Sequence, residues 1–511
     1  MATTTGVSNP NPNTQDAAEK KLSHMEPLES ERYVPRAMPN ILGSWDMTAL
    51  FIIILFFVTN VPTAVAGGVA GLSLWVIGGI AFFVPCAIAT AQLGLMYPYE
   101  GSLYNWTHKA FGGYMSFFVA FCAWLPSFLL ILATSDLAVS CFQSLNPKWL
   151  VQPWQQGLVL MLLVAFSGVI AVQRHRMVQN MINAVVAFIL LAVVIVFIAG
   201  IVWLLKGNPS AANFRQVGGW NPFSGGTIGL FGVITLGYLG VNIPFNMAGE
   251  LVGDERERSK AIRRPLLWGT LIVLTSYLLV TFAVLVVQGQ SGANSLFSMV
   301  QVVQMVLGTF AGDIVNICIL ATLFVATIAY NNAYARFLMI GGIDKRLPMG
   351  LGKLNRNRAP ARAILFQTIL AIVVSAILFL VIPYVGIIGG QPANVAIEAY
   401  FVVVGTATIV WAFATIFLFV DLFRLYARNP KVFRAHRILP IPVLLFFSVL
   451  GLFTGLAAIV DTLFNSYIPP LIPNNTWLLV ISGFTVIILI GGAIGSMLGS
   501  SEAAYQDLNI E

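Results

Sequence analysis

The stretch LGYLGVNIPFNMAGE, residues 236–250, interrupts a long apolar run with three glycines, two asparagines, a proline and a glutamate. Pro244 has no N–H group, and its ring clashes with the carbonyl four residues earlier, that of Gly240, so helical hydrogen bonding stops there. Exposed to lipid, each freed backbone group costs several kcal/mol, so such a break survives only where protein or a wet cavity covers it. The stretch therefore predicts a broken helix with free carbonyls near Gly240.

The composition identifies the environment of this helix. The 511 residues are 58% hydrophobic and 9% charged, with a mean hydropathy of +0.85, whereas an ordinary soluble protein is about 25% charged. A helix needs about 20 apolar residues to cross a bilayer, against about 10 for a strand of a membrane barrel. The sequence therefore predicts an all-α integral membrane protein with twelve transmembrane helices. In chain order, spans 1 to 12 are residues 47–70, 72–96, 112–142, 155–172, 178–205, 226–250, 265–288, 312–342, 363–385, 396–424, 439–465 and 475–499.

Basic residues are distributed unequally between the loops. Only three of the 27 Lys and Arg residues fall after odd-numbered spans: Lys148, Lys206 and Arg215. Four clusters follow even-numbered spans: 174–176, 256–264, 345–362 and 424–437. By the positive-inside rule, we expect both termini in the cytoplasm and a multi-pass protein in the plasma or inner membrane of the cell. The net charge of +7 then reflects topology, and without a basic groove lined by aromatics no nucleic acid is expected as a partner.

The first forty residues differ from the rest of the chain. Residues 1–40 contain Asn-Pro repeats and mixed charges, and they have too little apolar surface to fold alone. They do not resemble a cleavable signal peptide, which needs a basic start followed at once by an apolar stretch. We expect a disordered cytoplasmic tail.

The cysteines and histidines indicate neither a metal site nor a cofactor. The cysteines lie inside apolar runs without paired spacing and are interpreted as small core residues: Cys86, Cys122, Cys141 and Cys318. The histidines are assigned to the tail or the loops, among Lys and Arg: His24, His108, His175 and His436. With no nucleophile and base pair or metal cluster predicted at membrane depth, an enzyme is not expected.

A second break is predicted in span 1. The stretch LFFVTNVPTAVAGG, residues 55–68, places Asn60 and Pro62 near mid-depth. Spans 1 and 6 lie five apart, as expected if spans 1–5 and 6–10 are inverted repeats, and discontinuous helices at matching places in two halves indicate a transporter site. The predicted units are a first repeat at 41–205, a second repeat at 206–425, and spans 11 and 12 at 426–511. The alternative is that each break is a packing kink, since Gly and Pro are common in membrane helices.

Three loops and spans resemble the amino acid-polyamine-organocation superfamily. MYPYEGSLYNWTHKAFGGY, residues 96–114, is similar to the Tyr-Pro-x-x-Gly-Gly-x-Tyr…Phe-Gly signature of that family, with Ser102 in place of the second Gly. IGGIDKRLPMGLGKLNRNRAP, residues 340–360, resembles its loop after span 8, and Arg336 matches the arginine that precedes it. GYLGVN in span 6, followed by Glu250, resembles its Phe-x-Gly-Phe-Glu motif. NVPTAVAGG in span 1 and FFVPCAIATAQLG in span 2 look closest to the glutamate/GABA antiporter branch.

The resemblance implies a five-plus-five inverted-repeat (LeuT-like) fold with two appended helices, and secondary transport of an amino acid or related amine by alternating access. In the family, the substrate carboxylate meets free amides of helix 1 and its ammonium meets free carbonyls of helix 6, as helix-end charges favour. Aligned on the motifs, these sites fall on 56–60 and 236–240, and counting from matched motifs adds Pro126 and Ser127 in span 3 and Tyr330 in span 8. The implied substrate-binding residues are Val58, Thr59, Asn60, Ser127, Leu236, Gly237, Tyr238, Gly240, Asn242 and Tyr330. Tyr330 as a core aromatic and Ser127 as a packing hydroxyl are the alternatives.

The sequence departs from the family at two places. Where many relatives have Gly-Ser-Gly in span 1, this chain has Leu55, Phe56 and Phe57, so either the unwinding is shifted towards 58–60 or the substrate is held differently. Asn242 stands where relatives often have Glu, and an amide cannot titrate. A pocket lined by Asn60, Ser127, Asn242, Asn246 and Tyr330 has no fixed charge, which favours a neutral or zwitterionic substrate.

The acidic residues give one candidate for ion coupling. An ionisable residue inside a membrane is a functional candidate by default, and Asp136, in the outer half of span 3, is the best one for proton or cation handling. Glu250 is expected to pair with Arg336 or another arginine. Near outer span ends, solvation is the simpler account of the remaining acids: Asp313, Glu398 and Asp461.

Two functions follow as hypotheses. The first is a secondary transporter, either coupled to protons or exchanging substrates; sodium, which would need the hydroxyls of Thr322 and Thr327, is less favoured. The second is a receptor or sensor on the same fold that binds the ligand without moving it. The expected partners are the small-molecule substrate and the lipid bilayer, and the oligomeric state is left open.

Overall fold

The computed structural model describes residues 27–146, 148–224, 226–385 and 391–508, and within them the regular structure is helical. Ten helices in this part of the chain are long and apolar enough to cross a membrane, which confirms the predicted all-α membrane class. They correspond to spans 2–5 and 7–12. Their bounds are Val69–Met96, Gly113–Gln143, Pro153–Ala171, His175–Leu205, Glu255–Val287, Thr309–Ile343, Ala361–Tyr384, Pro392–Arg428, Ile441–Phe464 and Asn474–Gly499.

Spans 1 and 6 are not continuous helices. Span 1 consists of helices Ser44–Leu55 and Asn60–Ala66, bent by 50°. Span 6 consists of a short helix, Phe231–Leu236, and a 3-10 helix, Ile243–Glu250, joined by turns. The bent pair raises the number of spans to eleven, and the predicted count of twelve stays a prediction because the pieces of span 6 are short.

Shorter helices lie at the two faces of the bundle. The loop between spans 2 and 3 contains Leu103–Phe111, and the loop between spans 7 and 8 contains Ser298–Leu307. We call the face that bears the clusters at 174–176, 256–264, 345–362 and 424–437 the basic face. Gly499, at the end of span 12, lies against the backbone of Arg346, so span 12 ends on this face. The assignment of the basic face to the cytoplasm stays a prediction.

The expectation of a disordered tail through residue 40 is wrong for its last part. Residues 29–37 form a helix, Glu29–Ala37, that docks on the basic face. The Ser30 amide and hydroxyl both donate to the Asp344 carboxylate, at 2.8 and 2.9 Å, and Lys109 Nζ lies 2.7 Å from Glu31 Oε1. Burial raises the pKa of Asp344 to about 6, although the two bonds from Ser30 favour its charged form. Specific polar partners thus order a segment with little apolar surface, while residues 1–26 lie outside the described residues.

The cysteines and histidines differ in how well they were predicted. All four cysteines are free and buried, as expected of core residues. His108 and His175, which were assigned to loops, are buried instead, His108 within Leu103–Phe111 and His175 as the first residue of span 5. His108 still belongs to the loop between spans 2 and 3, as assigned, whereas His175 begins the helix of span 5.

Candidate functional site

The break in span 1 is held open by a tyrosine from span 7. The helix ends at Leu55, and Phe56 has an extended backbone. The Tyr277 hydroxyl accepts hydrogen bonds from the Phe57 amide at 2.8 Å and from Asn60 Nδ2 at 3.0 Å, and it donates to the Leu55 carbonyl at 2.8 Å. A hydroxyl has one donor and two acceptor positions, so Tyr277 is saturated. It satisfies three polar groups that the break would otherwise leave free.

The next two amides are left available. Phe57 donates to Tyr277, and the amides of Asn60 and Val61 bond to the carbonyls of Phe57 and Val58. For the amides of Val58 and Thr59, no hydrogen bond is found among the residues that the structure describes. The free donors of span 1 therefore lie beyond the bulky Leu-Phe-Phe triplet, as the shifted unwinding proposed from the sequence requires.

The break in span 6 leaves acceptors available. Asn60 Nδ2 approaches the Gly237 carbonyl at 3.4 Å, which links the two breaks directly. Within the described ranges, the carbonyls of Tyr238, Leu239 and Val241 accept no hydrogen bond. Gly240 has φ +106°, a conformation that L side chains rarely adopt. The left-handed turn at Gly240 is what separates the two halves of the span.

A cavity of about 800 Å³ ends at these breaks. Its floor includes Thr59, Leu239, Tyr330 and Trp411, and its wall on span 3 runs from Pro126 outward. At its mouth lie residues of loops on the face opposite the basic face: Val151, Pro153, Ala293 and Pro469. The cavity therefore leads from that opposite face to the free amides and carbonyls of spans 1 and 6.

Five of the ten predicted binding residues line this cavity, together with the coupling candidate Asp136: Thr59, Asn60, Leu236, Gly237 and Tyr330. The other five lie behind its surface: Val58, Ser127, Tyr238, Gly240 and Asn242. Tyr238 donates to the Trp75 carbonyl at 3.0 Å within an aromatic cluster. Ser127 Oγ and Asn242 Oδ1 are buried, and no partner for either is found in the described part of the chain. Their roles in binding stay predictions.

Tyr330 fits both of its sequence-based interpretations. Its hydroxyl donates at 2.6 Å to the carbonyl of Ile54, the second-last residue of the helix before the break in span 1. Its ring lines the cavity and packs beside Tyr334, with ring centroids 6.2 Å apart. Tyr330 thus ties span 8 to span 1 and forms part of the floor on which a ligand would rest.

The basic face is closed beneath the floor by a buried ionic network. Arg336 Nη2 lies 2.7 Å from Glu250 Oε1, which confirms the predicted pair. Arg336 Nε lies 3.4 Å from Glu100, and His175 Nε2 lies 3.6 Å from Glu250. Burial and the adjacent Glu250 charge raise the pKa of Glu100, which is in the loop after span 2. Glu100 and His175 could not be assigned to this network from the sequence, since neither lies near Arg336 in the chain.

The hydroxyls considered for sodium make hydrogen bonds within spans 3 and 8. Thr322 donates to the Cys318 carbonyl at 2.7 Å, within its own helix. Thr327 pairs with Thr134 of span 3 at 2.8 Å. In the described residues, neither hydroxyl has a hydrogen bond to span 1, where the carbonyls of such a site were expected. No group of His, Cys, Asp and Glu in the described ranges is arranged to hold a metal ion.

Removing the Tyr277 hydroxyl tests whether it holds the break in span 1. Tyr277→Phe leaves the Phe57 amide and the Asn60 side chain without an acceptor, so the free energy of unfolding is expected to fall by about 1–3 kcal/mol. Tyr334→Phe is the matched control because the Tyr334 hydroxyl is buried but has no partner among the described residues. Denaturation of the purified variants measures the difference. Equal stabilities would show that Tyr277 acts through its ring alone.

A helical membrane bundle with a cavity that is open at one face, closed at the other and bounded by two broken spans defines a transporter. The chain belongs to the amino acid permease family, whose model matches residues 42–494. It is 27% identical over 358 residues to the branched-chain amino acid permease BcaP of Lactococcus lactis subsp. cremoris, covering 66% of this chain and 75% of that protein. It is 24% identical over 308 residues to the probable agmatine/putrescine antiporter AguD of Lactococcus lactis subsp. lactis, covering 55% and 59% respectively.

A solved structure has the same fold. The manganese transporter of Eremococcus coleocola aligns with a TM-score of 0.56 at 16% identity, over 92% of this chain and 98% of that one. At this identity the likeness shows the fold alone. The predicted fold class and superfamily are therefore confirmed. The glutamate/GABA branch and the unit boundaries at 40, 205 and 425 stay predictions.

Proposed function

We propose that this protein is a secondary active transporter of an amino acid or related amine, and that it works by alternating access. The observation behind the proposal is that the cavity ends between the free amides of span 1 and the free carbonyls of span 6. Amides are donors and suit a carboxylate, whereas carbonyls are acceptors and suit an ammonium group. The two ends of an amino acid would therefore find complementary partners on opposite sides of the floor.

Thr59 and Leu239 are the proposed contacts nearest the ligand. Both line the cavity, and the Thr59 amide and the Leu239 carbonyl are without partners in the described structure. Phe57 and Leu236 line the cavity beside them and add apolar surface. In this proposal, backbone amides and carbonyls bind the head group of the ligand, and the side chains line the rest of the pocket.

Alternating access requires that one side is closed while the other is open. The cavity reaches the face opposite the basic face, while the Arg336 network and the helix Glu29–Ala37 cover the basic face. We take this as the outward-open state and the basic face as cytoplasmic. Transport then needs the network around Arg336 to separate and the floor at Tyr330 to open.

The mode of transport is proposed as proton-coupled symport or exchange of one substrate for another. The relatives bear names of both kinds, a permease and an antiporter, for a branched-chain amino acid and for diamines. Sodium coupling is not part of the proposal because only two ordinary threonine hydroxyls, those of Thr322 and Thr327, would support it.

Counterflow in liposomes tests the proposal. Purified protein is reconstituted in vesicles loaded with unlabelled ligand, and uptake of labelled amino acids and amines is followed. We expect at least one ligand to accumulate transiently against its gradient, and comparison of loaded with empty vesicles, with and without a pH gradient, separates exchange from proton coupling. Failure to bind or move any member of a broad panel would contradict the proposal.

The alternative is a receptor or sensor that uses the same pocket without flux. It would be stabilised against heat by its ligand, since a ligand that binds only the folded state stabilises it by mass action. It would give no counterflow with that same ligand. Thermal stabilisation without counterflow therefore identifies the alternative.

A further inference from the structure

Asp136 is an unpaired carboxylate on the wall of the cavity. Among the described residues that line the cavity, it is the only Asp, Glu, Lys, Arg or His. In the ranges that the structure describes, its carboxylate makes no hydrogen bond and no ion pair. The Arg336 network, in contrast, pairs its acids with a cation below the floor. Among the described residues that line the cavity, Asp136 is therefore the one acidic side chain with which a ligand could pair.

The position of Asp136 separates it from the floor. Leu129, Ala133, Asp136 and Ser140 of span 3 all line the cavity, as expected for one face of a helix, where residues three and four apart are neighbours. Asp136 is two turns outward from Leu129, which is about 10 Å at 1.5 Å per residue. The acid therefore lies in the outer half of the cavity, away from the breaks.

The surroundings of Asp136 suit a cationic group of a ligand. Gln156 and Tyr400 line the cavity together with it, and Tyr400 lies within electrostatic reach of the carboxylate. The wall between Asp136 and the floor is apolar, formed on span 3 by Leu129 and Ala133. A carboxylate in a poorly solvated site favours a cation that pairs with it, because an isolated charge away from water is costly. An apolar segment between two polar ends suits a carbon chain.

We propose that Asp136 binds a distal cationic group of the substrate, so that the preferred substrates have two separated cationic nitrogens. One nitrogen would meet the free carbonyls near Leu239, the other would meet Asp136, and the carbon chain would lie along Leu129 and Ala133. The class comprises amino acids with a basic side chain and linear diamines. This inference rests on the proposed transport function, and it replaces the neutral or zwitterionic substrate that the floor residues alone favoured.

Binding by Asp136→Asn and by a matched control tests the inference. Affinities for leucine, lysine, arginine, putrescine and agmatine are measured by competition against a labelled ligand of the wild type. Asp136→Asn keeps the shape of the side chain and removes its charge. The affinity for ligands with two cationic nitrogens is expected to fall by about tenfold or more, whereas the affinity for neutral ligands should change by less than about twofold. Asp313→Asn makes the same change at an exposed acid of span 8 that does not line the cavity, and it should leave both groups unchanged, while Asp136→Glu should restore part of the preference.

Several outcomes would overturn the inference. One is a wild type that binds leucine as tightly as the dicationic ligands, a measurement that needs no variant and holds even if Asp136→Asn does not fold. Another is an equal loss for neutral and cationic ligands in Asp136→Asn, which would assign Asp136 to packing or to proton coupling. If lysine, arginine, putrescine and agmatine are transported but are insensitive to Asp136→Asn, this inference fails while transport stands. If no ligand is transported at all, the proposed function itself fails.

Discussion

Arg336→Met is expected to be severely destabilised, with little folded protein recovered from membranes. Arg336 is fully buried between Glu250 and Glu100. Its loss leaves two buried carboxylates without their cation, and breaking a buried pair by removing one partner costs about 3–5 kcal/mol. The measurement is the yield and the midpoint of thermal unfolding of the detergent-purified protein.

Lys260→Met provides the matched control. Lys260 Nζ lies 2.6 Å from Glu257 on the basic face, but both side chains are well exposed. An exposed pair contributes at most about 1 kcal/mol, so this variant should behave as the wild type. Replacing Glu100 and Glu250 by Gln in the Arg336→Met background removes the stranded charges and is expected to recover part of the loss. Equal stabilities of the two single variants would show that the buried network does not support the fold.

Gly240→Leu is expected to abolish transport while the protein still reaches the membrane. Gly240 has φ +106°, and a Cβ atom there would lie 3.1 Å from Trp411 and 3.2 Å from Ile54. A residue with a side chain pays about 1–2 kcal/mol for a left-handed backbone, and the larger side chain would also push the floor of the cavity. The break in span 6 and its free carbonyls would then be displaced. The measurement is initial uptake per molecule of surface protein.

Gly483→Leu controls for the general effect of a new leucine in a membrane helix. Gly483 in span 12 has no atom within 4 Å of the added Cβ, so its substitution should leave uptake unchanged. Gly240→Ala separates the cost of the left-handed backbone from that of the large side chain, because alanine has the same backbone strain but adds only one methyl group. Uptake by Gly240→Leu at the level of Gly483→Leu would contradict the assignment of the span 6 break to the substrate site.

The breaks and the inner ion pair could be predicted because their causes are local in the chain. Pro62 and Pro244 remove hydrogen-bond donors wherever the rest of the protein lies. Glu250 and Arg336 are charges inside apolar segments, and such charges need a partner. The free amides at Val58 and Thr59 agree with one of the two alternatives that the Leu-Phe-Phe triplet left open, a shifted unwinding.

Tyr277 could not be predicted because its role depends on a contact across 220 residues of chain. In the apolar run of span 7, the sequence around Tyr277 looks the same whether the tyrosine faces lipid, fills the core or bonds to a break in another helix. The helix Glu29–Ala37 was missed for a similar reason, since its polar residues are bound by Asp344 and Lys109 from distant parts of the chain. Asp136 was found from its charge, but its place on the same cavity as the two breaks required the structure.

The docking of the helix Glu29–Ala37 has a consequence for how the chain is made. Ser30 and Asp344 are 314 residues apart, so the ribosome has synthesised spans 1 to 8 before the partner of Ser30 exists. The helix Glu29–Ala37 therefore cannot complete its docking until the loop after span 8 has been made, although the partner of Glu31, Lys109, is synthesised much earlier.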